Sequence, residues 1–360
     1  MFRRFKFRPD WWLIIVVWGL ALFGLVMVGD VSVVEAYRGF GSEWHFLRLQ
    51  FGWMILGLGV FLAACLIPLE KLEEKAFLIL VLNLVLLVLV LIPGLGQQVL
   101  GARRRFSFGG VSLQPAELVK MSLALYLSAY FKEKKKIGPF LLVTASVVGL
   151  VMLEPDLGTA IVVMLIGLAI YFASGSPVWQ NLLVVVAGAA ASLILIWSSS
   201  YRLERLKTFL NPERDPLGAS YHIRQVLLAL GSGGVFGVGL GQSRQKYDYL
   251  PEVSTDSIFA VIGEELGFVG AFLVVAAFVF LVWRGLRAAR KAPRRFEQLL
   301  ALAITVWLGS QAFLNMASMV ALVPLTGIPL PFISYGGSAL VLSLGAAGLL
   351  VNISRNRQAR

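Results

Sequence analysis

Ten apolar stretches, each near the length a helix needs to cross a bilayer, take up most of this chain. A helix rises about 1.5 Å per residue, so roughly 20 apolar residues cover the hydrocarbon core. The stretches lie at about 11–29, 46–67, 76–92, 115–131, 138–153, 158–173, 180–199, 257–283, 298–320 and 336–352. Hydrophobic residues make up 58% of the chain and charged residues 14%. Soluble domains hold about 45–50% and 25%, so most of this surface needs lipid rather than a water-facing core. The expected fold is an all-α polytopic membrane protein, one transmembrane domain of about ten helices over 1–360. One long extracytoplasmic loop, 200–256, is expected between helices 7 and 8.

Charge supplies the orientation. The net charge of +12 would suggest nucleic acid in a soluble protein, but here the cations cluster between apolar stretches, so no nucleic-acid partner is expected. Arg3, Arg4, Lys6 and Arg8 precede span 1, and Lys132, Lys134, Lys135 and Lys136 follow span 4. Arg284, Arg287, Arg290, Lys291, Arg294 and Arg295 follow span 8, and Arg355, Arg357 and Arg360 end the chain. With ten spans all four clusters fall on one side, expected to be cytoplasmic with both termini. The first stretch has no small-residue cleavage site and is read as an uncleaved span. The outer loops are then 30–45, 93–114, 154–157, 200–256 and 321–335. Within the long loop a short helix is expected at 217–230, followed by a glycine run from Gly231 to Gly241. That run is either a flexible tip or a place where backbone approaches a ligand.

Cations on the outer side break the positive-inside rule and therefore carry information. They are Arg103, Arg104 and Arg105, then Arg202, Arg205, Lys207, Arg214, Arg224, Arg244 and Lys246. Singly, each could be solvated loop charge or a head-group contact. Together they point to an anionic ligand, because guanidinium forks match phosphate oxygens and stay charged. Ionisable groups inside spans are costly and are functional candidates. Glu117 and Lys120 share one helical face in span 4, as a structural ion pair or a working one. Glu264 and Glu265 enter span 8 and require a buried pair or a polar cavity. Asp256 stands where the long loop re-enters the membrane. It (or Thr255) could cap the helix, and it could equally act as a general base. The single cysteine, Cys65, excludes an intrachain disulfide, and His45 and His222 lack zinc-site spacing.

Several stretches read together resemble one family. They are Gly101-Ala102-Arg103-Arg104 with Gln114-Pro115-Ala116-Glu117-Leu118-Val119-Lys120, and Glu154-Pro155-Asp156-Leu157-Gly158-Thr159. Ser232-Gly233-Gly234 follows, with Gly237, Gly239 and Gly241, then Leu250-Pro251-Glu252 and Thr255-Asp256. Last come Thr326-Gly327-Ile328-Pro329-Leu330-Pro331-Phe332 and Ser334-Tyr335-Gly336-Gly337-Ser338. The chain resembles the SEDS family (shape, elongation, division and sporulation), nearer RodA than FtsW. The resemblance implies a peptidoglycan glycosyltransferase of the bacterial cytoplasmic membrane that polymerises lipid II during cell elongation. Its implied partners are membrane lipid, a class B penicillin-binding protein and the elongation machinery. It implies Asp256 as the catalytic base, with Arg103, Arg104, Glu117 and Lys120 at the substrate. Arg205 and Arg224 join them as candidate substrate-binding cations. Asp256 and Glu117 could also supply oxygen ligands to a divalent cation, Mg or Mn. Arg105 stands where tryptophan is common, and Ser257 where phenylalanine is common. A lipid II flippase or a non-catalytic scaffold are the rival readings.

Overall fold

The computed structural model describes residues 9–99, 102–108, 111–133, 136–211, 213, 215, 218, 220–247 and 250–355. Every expected span coincides with a helix. In chain order the helices are α1 (Trp11–Val31), α2 (Val33–Phe40), α3 (His45–Leu66), α4 (Leu69–Leu91), α5 (Pro115–Phe131), α6 (Ile137–Leu153) and α7 (Leu157–Ala173). They continue with α8 (Val178–Trp197), α9 (Ser200–Leu210), α10 (Tyr221–Ser232), α11 (Ile258–Lys291), α12 (Arg295–Met319) and α13 (Gly337–Arg355). Among the described residues, 7 helices are long and apolar enough to cross a membrane, and α6 and α7 are shorter apolar helices.

Apart from a break inside α11, the departures lie outside the apolar stretches. Helix α4 starts at Leu69, well before the expected boundary at 76, because Glu and Lys are good helix formers and carry the helix past the apolar window. Loop 30–45 holds α2, and the start of the long loop holds α9. Within 217–230 the helix begins only at Tyr221, and residue 217 lies outside the described residues. Loop 93–114 folds into an antiparallel sheet of β1 (Gln97–Val99), β2 (Ala102–Phe108) and β3 (Val111–Leu113), in the order β1-β2-β3.

Helices α12 and α13 form the buried centre, and α8 lies at the periphery. Close approach at the α3–α13 seam depends on missing side chains. A Cβ on Gly57 would sit 2.4 Å from Leu344, and one on Gly348 would sit 2.5 Å from the Phe61 carbonyl. At the end of the same seam, the Asn352 amide donates to the carbonyls of Ala64 (2.9 Å) and Ile67 (2.8 Å).

Helix α11 is broken at Gly267, whose φ of 67° and ψ of −165° only glycine adopts readily. The glycine run fills the break. Val238 and Gly239 donate backbone N–H groups to the carbonyls of Glu264 and Glu265, both at 3.0 Å, and Phe268 and Val269 donate to Gly234 and Val235. Backbone freed from a helix inside a membrane must be satisfied by other protein groups, and here it is. A Cβ on Gly267 would lie 2.3 Å from the Gly237 nitrogen. Gly267→Ala therefore strains both φ and the packed run, and should cost about 2 kcal/mol or more of unfolding free energy in detergent. An unchanged unfolding midpoint would show that the break is optional.

Hydrogen bonds and ion pairs gather the loops at two opposite ends of the bundle. At one end Lys246 meets Asp30, Arg104 reaches the 154–155 turn, and the segments 254–255 and 334–335 join. At the other end Arg284 pairs with Asp10, Arg294 with Glu70, and Lys132 with Glu73. The expected outer loops all belong to the first end. Of the charged clusters assigned to the second, the N-terminal group, Lys134, Lys135, Arg357 and Arg360 lie outside the described residues.

Candidate active site at the loop end

Asp256 is placed by its backbone. The Asn315 amide on α12 donates to the Asp256 carbonyl and to the Ile328 carbonyl, both at 2.8 Å. Ser334 donates its hydroxyl to the Thr255 carbonyl at 2.5 Å, and the Tyr335 N–H donates to the Ser254 carbonyl at 2.8 Å. Segment 250–257 is thus tied to the loop 325–335. The capping reading does not hold: Ser257 is the cap residue of α11, and no side chain caps the helix there. Thr255 spends its hydroxyl on Glu252 instead. The Asp256 carboxyl is left to the surroundings.

Those surroundings are charged. A Cβ on Gly327 would lie 3.4 Å from Asp256 Oδ2 and 3.6 Å from Arg205 Nη1. The acid and the guanidinium therefore flank the same glycine, whose φ of 70° keeps other residues out. Arg205 also donates to the Leu325 carbonyl at 2.8 Å. Burial first, then the Glu252 carboxylate, pushes the Asp256 carboxyl up to about 7, against the pull of Arg205. Asp156 adds to the rise and Arg105 opposes it. Arg105 is thus an electrostatic neighbour of the acid, and it also opposes the burial that raises the Tyr335 hydroxyl.

The remaining candidates divide. Arg104 donates to the carbonyls of Glu154 (2.6 Å) and Pro155 (2.9 Å), so most of its fork holds a turn together. That turn carries Asp156, which caps α7 through the Thr159 N–H and hydroxyl, both at 2.9 Å. Arg103, two residues from Arg105 on β2, shares its strand face and is half-buried. Glu117 and Lys120 form the expected ion pair at 2.7 Å, but inside the bundle at 3% and 1% exposure. Lys120 also donates to Gln311 Oε1 at 2.7 Å, and the Gln311 amide donates to the Pro329 carbonyl at 3.0 Å. The pair therefore props the loop 326–333 from below. Arg224 projects from α10 as an exposed side chain, and Arg214 lies outside the described residues. Lys246 is not a free outer cation. It is buried between Asp30 (2.9 Å) and Glu265 (3.1 Å), while Glu264 accepts from Ser243 at 2.5 Å. This cluster engages both span acids and pins the segment that follows the glycine run.

Sequence reasoning passed over Asn315 and gave no individual role to Ser334, Glu154 or His222. An asparagine in an apolar span is a visible signal for the first. Glu154 is fully buried, and burial pushes its carboxyl up to about 8. His222 contacts Ser257 Oγ at 2.7 Å, and burial, then Arg205, pulls its imidazole down to about 4, so the ring is neutral. Ser257, one of the two departures from the family pattern, is the hydroxyl that holds it. Arg205 and His222, with Glu204, Thr208, Phe209 and Leu325, line a cavity of about 220 Å³, and the Arg205 guanidinium flanks the same glycine as Asp256. Among the described residues, no group of three or more His, Cys, Asp or Glu is placed to hold a metal ion.

Fold and site define a polytopic helical membrane protein with a neutral-range acid among arginines at one end of the bundle. The chain belongs to the FtsW, RodA and SpoVE family of cell cycle proteins, whose profile matches residues 11–359. The probable peptidoglycan glycosyltransferase FtsW of Thioalkalivibrio sulfidiphilus is 40% identical, over 98% of this chain and 91% of that protein. Stage V sporulation protein E of Bacillus subtilis is 38% identical, over 97% and 98%. A chain of a peptidoglycan synthase complex, solved for its structural coordination of polymerization and crosslinking, superposes with a TM-score of 0.81. It is 29% identical, and the match covers 98% of this chain and 99% of that one. The Rod shape determining protein RodA of Thermus thermophilus gives 0.72 at 29% identity, covering 98% of each chain. The curated relatives thus carry FtsW and sporulation names, and the likeness to RodA does not by itself single out elongation.

Proposed function

We propose that this chain is the peptidoglycan glycosyltransferase that its relatives' names describe, joining lipid II units at the outer face of a bacterial cytoplasmic membrane. The loop end is then extracytoplasmic and both termini are cytoplasmic, in line with the positive clusters at the other end. The observation that carries the reading is Asp256, an acid poised near neutrality beside Arg205 and Arg105 at the bundle's lip. Such an acid accepts a proton at working pH. Asp256 takes the proton of the acceptor's 4-hydroxyl. The oxygen attacks the anomeric carbon of the donor, and the bond to the pyrophosphate breaks with its electron pair. The α-linked donor gives a β-linked product in one displacement, so no enzyme-bound sugar forms. Arg205, Arg103, Arg105 and Arg224 balance the charge of the leaving pyrophosphate. Arg104, Glu117 and Lys120 act from behind, by holding the turn at 154–156 and the loop at 326–333.

The partner in this reading is a class B penicillin-binding protein, by analogy with the superposed synthase complex, which couples polymerization to crosslinking. Division or sporulation is the favoured process, from the names of the curated relatives. Depletion in the native host decides it: filaments point to division and rounded cells to elongation.

The test is polymerisation of purified lipid II by the protein with its penicillin-binding partner. Glycan strands support the reading. Helix α11, broken at membrane depth, favours a transporter as second reading, since such breaks line transport sites. Lipid II crossing vesicle membranes without any glycan would move the protein to that class. The rate should also climb with pH through about 7, because the base works ionised and Asp256 loses its proton there. A flat profile from one unit below that value to one above would remove Asp256 as the base.

A further inference from the structure

The Ser257 hydroxyl has one proton. It donates that proton to the Pro251 carbonyl at 3.0 Å, and a carbonyl can only accept. The 2.7 Å contact between Ser257 Oγ and His222 Nε2 therefore runs the other way: Nε2 carries a hydrogen and donates it to Ser257. In a neutral imidazole one nitrogen donates and the other accepts, so Nδ1 is left with its lone pair. Among the described residues nothing donates to Nδ1. The half-buried ring lines the 220 Å³ cavity together with Arg205, whose guanidinium flanks Gly327 beside Asp256.

A cavity bearing a fixed cation and a fixed neutral acceptor suits a ligand with an anionic end and a neighbouring O–H or N–H donor. A sugar on a pyrophosphate has both: hydroxyl and acetamido donors beside the phosphates. We propose that His222 is a substrate-positioning residue, which Ser257 orients so that Nδ1 accepts a hydrogen bond from a hydroxyl or amide N–H of the sugar portion of the lipid-linked substrate. This rests on the reading above and adds what holds the sugar in register with Asp256. Burial and the Arg205 charge keep the ring unprotonated, which preserves the acceptor across the working pH range.

The experiment compares binding of lipid II with binding of undecaprenyl pyrophosphate, which has no sugar, to the full-length protein in lipid nanodiscs. The proteins are wild type, His222→Phe, Ser257→Ala and the double variant. Phenylalanine keeps a ring in place but removes both nitrogens. Loss of one hydrogen bond should weaken lipid II binding roughly threefold to tenfold and leave undecaprenyl pyrophosphate unaffected. Ser257→Ala should weaken it in the same sense, and the double variant should be no weaker than His222→Phe, since both changes remove one interaction. In polymerisation assays the loss should fall on KM, with kcat largely retained. Equal weakening for both lipids, or none for either, overturns the assignment while leaving the glycosyltransferase reading intact. Wild-type protein that binds no lipid II overturns that reading and this inference with it.

Discussion

Asp256→Asn should lower the rate of glycan polymerisation by about 10²- to 10⁴-fold, the range that a positioned general base contributes. Asparagine has nearly the shape of aspartate, so the change removes the proton acceptor and little else. Three features of the site make this a clean experiment. The side chain does not cap α11, because Ser257 holds that position, so the helix start is not at stake. The bond from Asn315 goes to the Asp256 carbonyl, which the substitution leaves in place. Removing an acid raised by burial and by Glu252 also relieves repulsion, so folding should not suffer. The dependence of residual activity on pH near 7 should vanish with the carboxyl. Lipid II binding should persist, because the arginines remain. If the variant polymerises at the wild-type rate, the mechanism is wrong, whatever the protein's family.

Lys120→Met should destabilise the fold by about 3–5 kcal/mol, the usual cost of stranding one partner of a buried ion pair. Glu117 Oε1 then loses its ammonium at 2.7 Å, inside the bundle and nearly sealed from water. The Lys120 ammonium also lies 5.2 Å from the centre of the Trp307 ring and bonds Gln311, so more than one contact goes with it. Removing both charges, as Glu117→Gln with Lys120→Met, should recover a large part of the loss, because two apolar or neutral groups leave no buried charge behind. Activity should not return to the same degree. Gln311 accepts from both Lys120 and the Trp307 indole while donating to the Pro329 carbonyl, and the loop it props borders Asp256. Unfolding in detergent, read beside polymerisation, separates these effects. A double variant as unstable as Lys120→Met alone would show that the pair is not what holds these helices.

Much of the architecture was legible because bilayer thickness converts hydropathy directly into helices. Helix α5 begins and ends where its apolar stretch does, and α6 and α7 are separate despite only Glu154, Pro155 and Asp156 between them. That short link forms a turn in which Glu154 and Asp156 are buried and Pro155 is exposed, with Asp156 capping the second helix. The sheet of β1–β3 was not legible. Its strands are short, and β2 is stabilised by cross-strand pairing and by Arg104 reaching the 154–155 turn, neither of which is a local property. The break at Gly267 was hidden for the same reason: an apolar run looks continuous whether or not another segment inserts into it.

The site divides along the same line. Sequence alone determined which residue types occur where the chain leaves the membrane: an acid at 256, arginines at 103–105 and 205, and an ion pair three apart at 117 and 120. Spacing along one helix is enough to pair Glu117 with Lys120, and hydropathy is enough to place Asp256 at a lip. Only the tertiary structure decided which cations stand at the acid and which are structural. Arg205 reaches the acid's edge of Gly327, Arg104 is occupied by carbonyls, and Lys246 is buried between two carboxylates. It also decided that a serine and a histidine 35 positions apart share a hydrogen bond. Charge is written in the sequence. Whether a charge is spent on protein or kept for a ligand depends on long-range packing, because desolvation and partner geometry arise only when distant segments meet.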